Sequence, residues 1–328
     1  MSAPLDPRVI EQEIIRIREK ESNPYSSGTK TNLFTLLIFR TEGDVAPGAA
    51  DPAEAALQYL LGRRPARIIT INRAHAAATE AWVSGRCFPD RRNRGVCFEE
   101  VRIESGDDGV GVDPGAWAPL VIRDLPVFAW VPSGRTLEGQ PWERALMDAA
   151  GLIDKLLVDS SRFPPSEKGG EAAVKALHAL WQRTSPSFML ADFSWRRGRV
   201  LREQSARTFD PPGMRPLLSS VLGVRLFGGL PADAALFFRW LHVRLGRTIG
   251  TEHAVPGPLS EGFKITYFVD GKPDIDIGCT RGGCLSSGEE RGAYRFPSDG
   301  EILLEEVDSL ARDPVFREVI SHAEPAEA

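Results

Sequence analysis

Three consecutive stretches decide the fold: Asn32-Leu33-Phe34-Thr35-Leu36-Leu37-Ile38-Phe39, the run from Asp51-Pro52 to Leu61, and Arg67-Ile68-Ile69-Thr70-Ile71. The first and third are apolar nearly throughout, as strands are when both faces are covered. Between them, Asp51 offers a carboxylate to the unpaired N–H groups of a helix start. Pro52 brings a φ already set for the first helical turn. Strand, capped helix and strand in this order make the βαβ unit of a parallel sheet with helices on its faces.

Upstream, Ile10, Ile14 and Ile17 recur at helical spacing, which predicts an amphipathic helix around Glu11 to Glu19, followed by a polar loop from Ser22 to Thr31. Downstream, Glu80 to Phe88 and Val96 to Ile103 read as strands around the basic loop Asp90-Arg91-Arg92-Asn93-Arg94-Gly95. Pro126 to Val131 and Lys155 to Val158 read as short buried strands, with a helix over Pro141 to Ala150 between them. These elements suffice for one domain, and Ser161 to Gly170, with paired prolines and paired glycines, is the linker candidate.

Beyond the linker, Val174, Leu177 and Trp181 line one face of a helix. Phe188 to Trp195 reads as a strand, either opening a second sheet or joining the first. Val200 to Phe209 and Ala232 to Leu245 read as helices, with Val221 to Phe227 extended between them. Phe263 to Ile277 alternates as a hairpin that turns at Asp270-Gly271, and helices over Asp299 to Ala311 and Asp313 to His322 follow. The expected architecture is α/β: two α/β domains, 1–163 and 164–328, each a mostly parallel or mixed sheet with helices packed on its faces.

A chain of 328 residues exceeds the size at which one core stops growing, which agrees with two domains. Its 42% hydrophobic and 26% charged residues are those of an ordinary globular protein. A net charge of -5 gives no overall footprint for nucleic acid or an anionic membrane. No apolar run approaches the ~20 residues that span a bilayer. The amino-terminal stretch lacks the basic-then-apolar pattern of a secretory signal, so a cytoplasmic location is expected.

The chain carries no Gly-x-Gly-x-x-Gly after a strand, no phosphate loop ending in Gly-Lys-Ser/Thr and no Gly-x-Ser-x-Gly elbow. Its five histidines are scattered singly. No catalytic residue, metal or cofactor is expected on these grounds. Cys279 and Cys284, with the four residues Thr280-Arg281-Gly282-Gly283 between them, allow three readings: inert reduced thiols, a redox pair, or two metal ligands needing two more. Cys87 and Cys97 could complete a four-cysteine site only if the fold brought them there.

The candidate binding residues lie past the expected strand ends, where α/β proteins line a crevice. In Leu156 to Ser161, Asp159, Ser160 and Ser161 either cap a helix or face a ligand. In Asp192 to Arg197, Trp195 is either core packing or an interface anchor, with Asp192 and Arg197 beside it. Arg67 opens a buried strand and needs a carboxylate or phosphate partner, for which Asp159 and Asp192 are candidates. Arg91, Arg92 and Arg94 read as a solvated loop or as a contact for phosphate or an acidic partner.

Taken in order, these segments resemble the OpcA family, the glucose-6-phosphate dehydrogenase assembly proteins. The blocks are Asn32-Leu33, Arg64-Pro65-Ala66-Arg67-Ile68, Val96 to Val101, Asp124 to Trp130, Val158-Asp159-Ser160-Ser161 and Asp192-Phe193-Ser194-Trp195, followed by Arg197, Arg202-Glu203 and Phe209-Asp210. The resemblance implies a non-catalytic protein that binds glucose-6-phosphate dehydrogenase and promotes its active oligomer, with Arg202 joining the candidate partner-binding residues. In photosynthetic relatives it implies a link to thiol redox state. Two departures stand out: Arg64 occupies a position where relatives usually carry histidine, and Val200-Leu201 replaces a usual Pro-Trp. The alternatives are a sugar-phosphate-binding α/β protein or enzyme with Arg67, Asp159, Ser161 and Arg197 around a strand-end pocket, and a thiol-based redox sensor.

Overall fold

A computed structural model of the protein describes residues 2–3, 6–22, 28–29, 32–41, 51–61, 63–73, 79–89, 95–106, 112–132, 141–163, 169–184, 187–280, 283–286, 289–291 and 295–322. The basic loop Arg91 to Arg94 and residues 164–168 of the proposed linker lie outside them. In chain order the elements are β1 (Ser2–Ala3), α1 (Pro7–Ser22), β2 (Gly28–Thr29), β3 (Thr35–Thr41), α2 (Pro52–Leu60), β4 (Ala66–Arg73), β5 (Glu80–Pro89) and β6 (Gly95–Ser105). There follow α3 (Pro114–Trp117), β7 (Val127–Val131), α4 (Pro141–Asp148), β8 (Lys155–Val158), α5 (Gly170–Thr184), β9 (Met189–Asp192), α6 (Phe193–Arg197), α7 (Arg199–Phe209) and β10 (Val221–Phe227). The chain ends with α8 (Pro231–Leu245), β11 (Gly250–Val255), β12 (Phe263–Val269), β13 (Ile275–Thr280), β14 (Gly283–Ser286), β15 (Glu289–Arg291), α9 (Asp299–Val307) and α10 (Pro314–Ser321).

Two compact units result, both α/β. The first takes residues 1–162, 182–191 and 298–311; the second takes 163–181, 192–297 and 312–328. Segments 182–191 and 298–311, which follow the expected boundary at 163/164 in sequence, belong to the first unit.

The first unit holds a sheet in the order β1-β5-β6-β4-β3-β7-β8-β9, with β2 beside β6. Strands β6, β4, β3, β7 and β8 run parallel, and β5 returns antiparallel on β6. Leu36 to Phe39 of β3 are buried, as expected of a central strand with both faces covered. Asp51 caps α2 by accepting a 2.9 Å hydrogen bond from the Ala53 N–H, and Pro52 occupies the first turn. On the other side of the sheet α1 buries Ile10 and Ile14. Gly85 of β5 permits that approach, since a Cβ there would stand 2.6 Å from Cγ2 of Ile17.

The second unit holds a mixed sheet, β11-β10-β12-β13-β14-β15, in which only the β10–β11 pair is parallel. Val224, Leu226, Ile265, Tyr267, Ile277 and Cys279 point from one face into a core shared with α7 and α8. The opposite face is open and polar, with Arg225 paired to Glu252 and Lys264 to Asp276. This alternation is that of a sheet covered on one side only.

One element departs from the sequence reading. The aromatic run Phe188 to Trp195 is a strand only over Met189–Asp192, where it joins the first sheet; Phe193–Arg197 is helical. Asp192 explains the change, because its extended backbone and side-chain bond to the Trp195 N–H make it a helix cap.

Candidate functional site

Arg67 lies apart from the strand-end residues expected to pair with it. It stands at the start of β4, whereas Asp159 follows the end of β8; in a parallel sheet those are opposite edges. Its guanidinium instead donates to Glu99 Oε2 at 2.8 Å, to Glu11, and to the Leu120 carbonyl at 2.7 Å. Glu99 also receives Asn32 at 3.0 Å and pairs with Arg18, whose pKa is pulled down by burial and then by the nearby Arg67 charge. This network ties α1 to β4 and β6, and Asp159 and Asp192 have no part in it.

Asp159 serves its own turn. Its Oδ1 accepts hydrogen bonds from the Ser161 N–H at 3.2 Å and hydroxyl at 2.7 Å, while Oδ2 lies 3.0 Å from Arg162 Nε. Arg162 also reaches Asp299 at 2.8 Å. Asp159 and Ser160 are buried and Ser161 is half-buried.

The second cluster is built around Trp195. Asp192 caps the turn that carries it, and Trp195 Nε1–H donates to Asp313 Oδ2 at 2.8 Å. Asp313 uses its other oxygen to cap α10 through the Phe316 N–H at 2.9 Å. The indole packs on the Phe316 ring, with centroids 5.4 Å apart. Arg202 of α7 lies over it, its guanidinium carbon 3.4 Å from the ring centroid and Nη1 donating to the Trp195 carbonyl at 2.9 Å. Burial pulls the Arg202 pKa below its usual value, against the opposing attraction of Asp313. Arg197 is half-buried and its Nη2 approaches Ser194 Oγ at 3.3 Å. The structure thus brings Asp192, Trp195, Arg197 and Arg202 together, with Trp195 only 2% exposed.

Asp313 is the member of this cluster that sequence reasoning missed. Its Asp-Pro signature marked a helix start, but nothing local to residue 313 points to an indole 118 residues away. The two departures from the family pattern also acquire structural roles. Arg64 makes a bidentate pair with Asp308, both bonds 2.8 Å. Val200 and Leu201 are fully buried in the second core.

The cysteines are joined in two pairs. Cys87 and Cys97 stand directly opposite on β5 and β6, and Cys279 and Cys284 on β13 and β14; each pair forms a disulfide. They are neither reduced thiols nor metal ligands in this structure, and no group of metal-binding side chains occurs among the described residues. Disulfides are rare in reducing compartments, which bears on the expected cytoplasmic location. Among the described residues no helix is long and apolar enough to cross a membrane.

Residues 58–175 match the family described as glucose-6-phosphate dehydrogenase subunit N-terminal domain, and residues 189–320 match its C-terminal counterpart. This chain belongs to the OpcA glucose-6-phosphate dehydrogenase assembly family. Both OpcA segments fall in the expected order and extend the resemblance well beyond residue 210. No curated protein matches the sequence. A solved structure, "Structure of putative oxidoreductase from Thermotoga maritima", aligns over 87% of this chain and 93% of its own at 10% identity and a TM-score of 0.37. A likeness of that size assigns this OpcA member neither fold nor activity.

Proposed function

We propose that this chain is a non-catalytic assembly factor that binds glucose-6-phosphate dehydrogenase and favours its active oligomer, at the entry of the oxidative pentose phosphate pathway. The observation that carries this reading is that both halves of the chain match domains described as parts of a glucose-6-phosphate dehydrogenase subunit. The use of Asp159, Asp192 and Trp195 in caps and packing supports it, because these groups stabilise a scaffold and leave its surface for docking. A partner that binds one oligomeric state more tightly shifts the equilibrium toward it, which is the physical content of activation. The half-buried Arg197 and Arg202 belong to the docking face in this reading, and charged contacts make association weaken with salt.

The test mixes the purified chain with the dehydrogenase of the same organism. Co-elution and a rise in specific activity are expected at low salt, with weaker association at high salt. Arg202→Ala should weaken the complex more than Arg92→Ala. Absence of any complex or activity change at low salt sinks the proposal. Turnover of a phosphosugar by the chain alone, lost on Asp159→Asn, would transfer support to the sugar-phosphate reading.

A further inference from the structure

The second unit contains a cavity of about 360 Å³ that none of the candidate residues lines, between α7, α8, β12 and the turn at Arg215–Ser220. Phe209, Leu218, Trp240 and Leu245 form its walls, and the buried Tyr267 forms its floor. The volume falls in the range of small-molecule sites, which are typically apolar inside with a few polar groups fixing orientation.

The floor specifies what enters. Tyr267 donates its hydroxyl to Ser205 Oγ at 2.6 Å, and Ser205 donates onward to the Leu201 carbonyl at 2.7 Å. The two hydroxyl protons are thereby both directed within the protein, and the part of a ligand inside the cavity gains most by being apolar. The mouth is different. Arg215 and Arg244 are exposed lining residues, with Asp210 as the acidic one. Arg215 bonds to Asp210 through Nε and Nη2, and Arg244 to Glu318 through Nη2, which leaves further N–H groups on both forks. Guanidinium forks match a carboxylate or phosphate head.

We infer that this cavity binds an amphipathic organic anion, with an apolar body inside and its anionic head between Arg215 and Arg244. At roughly 30 Å³ per water-sized volume it admits a body and head of about a dozen non-hydrogen atoms. Decanoate is a probe of that size and polarity.

Titration of the full chain alone, followed by calorimetry or ligand-observed NMR, tests the inference without the dehydrogenase. Decanoate should saturate with a Kd on the order of 0.1–1 mM. Decanol, lacking the charge, should bind roughly tenfold more weakly, and Arg215→Ala with Arg244→Ala should cost decanoate a similar factor. Ala206→Trp, at an exposed lining position, should abolish binding by filling the cavity while the melting temperature holds. If that variant melts early, the arginine double variant decides. Equal affinity for decanol, no saturation, or undiminished binding in the variant that decides overturns the inference. So does a result in which decanoate never binds and Ala206→Trp abolishes association with the dehydrogenase, because the cavity is then a seat for the partner.

The same floor predicts an alkaline signature. Burial raises the Tyr267 pKa far above its ordinary value, although the bond to Ser205 works the other way. The folded state therefore keeps the phenol neutral where the unfolded chain ionises. Stability from this group is present below about pH 10 and is lost as pH rises above it, by up to about 1.4 kcal/mol per pH unit. Denaturant melts between pH 8 and 11 should show a shallower alkaline loss for Tyr267→Phe than for the native chain; identical slopes would show that Tyr267 is not held neutral.

Discussion

Trp195→Ala is expected to lower the stability of the second unit by about 3–5 kcal/mol, the usual cost of deleting a large buried aromatic ring. The indole is 2% exposed, rests on Phe316, lies beneath Arg202 and donates to Asp313. Alanine removes all three contacts at once. The deletion opens a cavity, takes away the ring under a partly buried guanidinium, and leaves one oxygen of the α10 cap without the indole donor. For a unit of this size, about 3–5 kcal/mol corresponds to a melting-point drop on the order of 10 °C. Trp195→Phe keeps most of the packing and loses the N–H, so its cost should be about 1–3 kcal/mol. Calorimetry or urea melts of both variants, run beside dehydrogenase binding, separate the two readings of this residue. Binding lost in step with stability fits a packing role. Binding lost with an unchanged melt would place Trp195 against the partner.

The contrast between the two strand-end clusters shows what was legible in the sequence. The βαβ start could be read because strands β3 and β4 are buried on both faces, a condition that writes itself as continuous apolar runs. The hairpin β12–β13 could be read because its inner face alternates cleanly against an open face. The partners of charged residues could not be read in that way. A buried Arg67 demands a carboxylate or phosphate, but a place at a strand end points to Asp159 and Asp192, and nothing local points to its actual partners Glu11 and Glu99. Strand direction decides the matter for Asp159: a residue near the start of one parallel strand cannot meet the residue after the last of another. Helix α6 was hidden for a related reason. Its aromatic composition favours a strand, and Asp192 alone signals the cap that stops one. The cystines were legible only after register was known, since a separation of ten between Cys87 and Cys97 says nothing until both fall opposite on β5 and β6.

The Lys155–Glu306 pair is the least legible feature and carries the second large effect. Lys155 opens β8 and is 2% exposed, and Glu306 of α9 is 1% exposed, 151 residues later. The ammonium donates to Glu306 Oε2 and to the Glu306 carbonyl, both at 3.0 Å, and to the Ser309 carbonyl. Three donors meet three acceptors, as burial of an ammonium demands. Lys155→Met should therefore cost about 3–5 kcal/mol, because it leaves the Glu306 carboxylate buried without its cation, and Glu306→Leu should cost a similar amount by stranding the ammonium. The double variant Lys155→Met with Glu306→Leu should recover most of the loss, since apolar replacement of a whole buried pair is often neutral or stabilising. The consequence reaches beyond one contact. Lys155 holds the segment 298–311 in the first unit, so the single variants should also loosen α9 and expose its flank to protease under native conditions. Urea melts of the three variants, with limited proteolysis mapped near residues 309–312, check both halves of this expectation. Single variants that lose less than about 1 kcal/mol, or a double variant no better than either single, would show that hydration rather than pairing accommodates these charges.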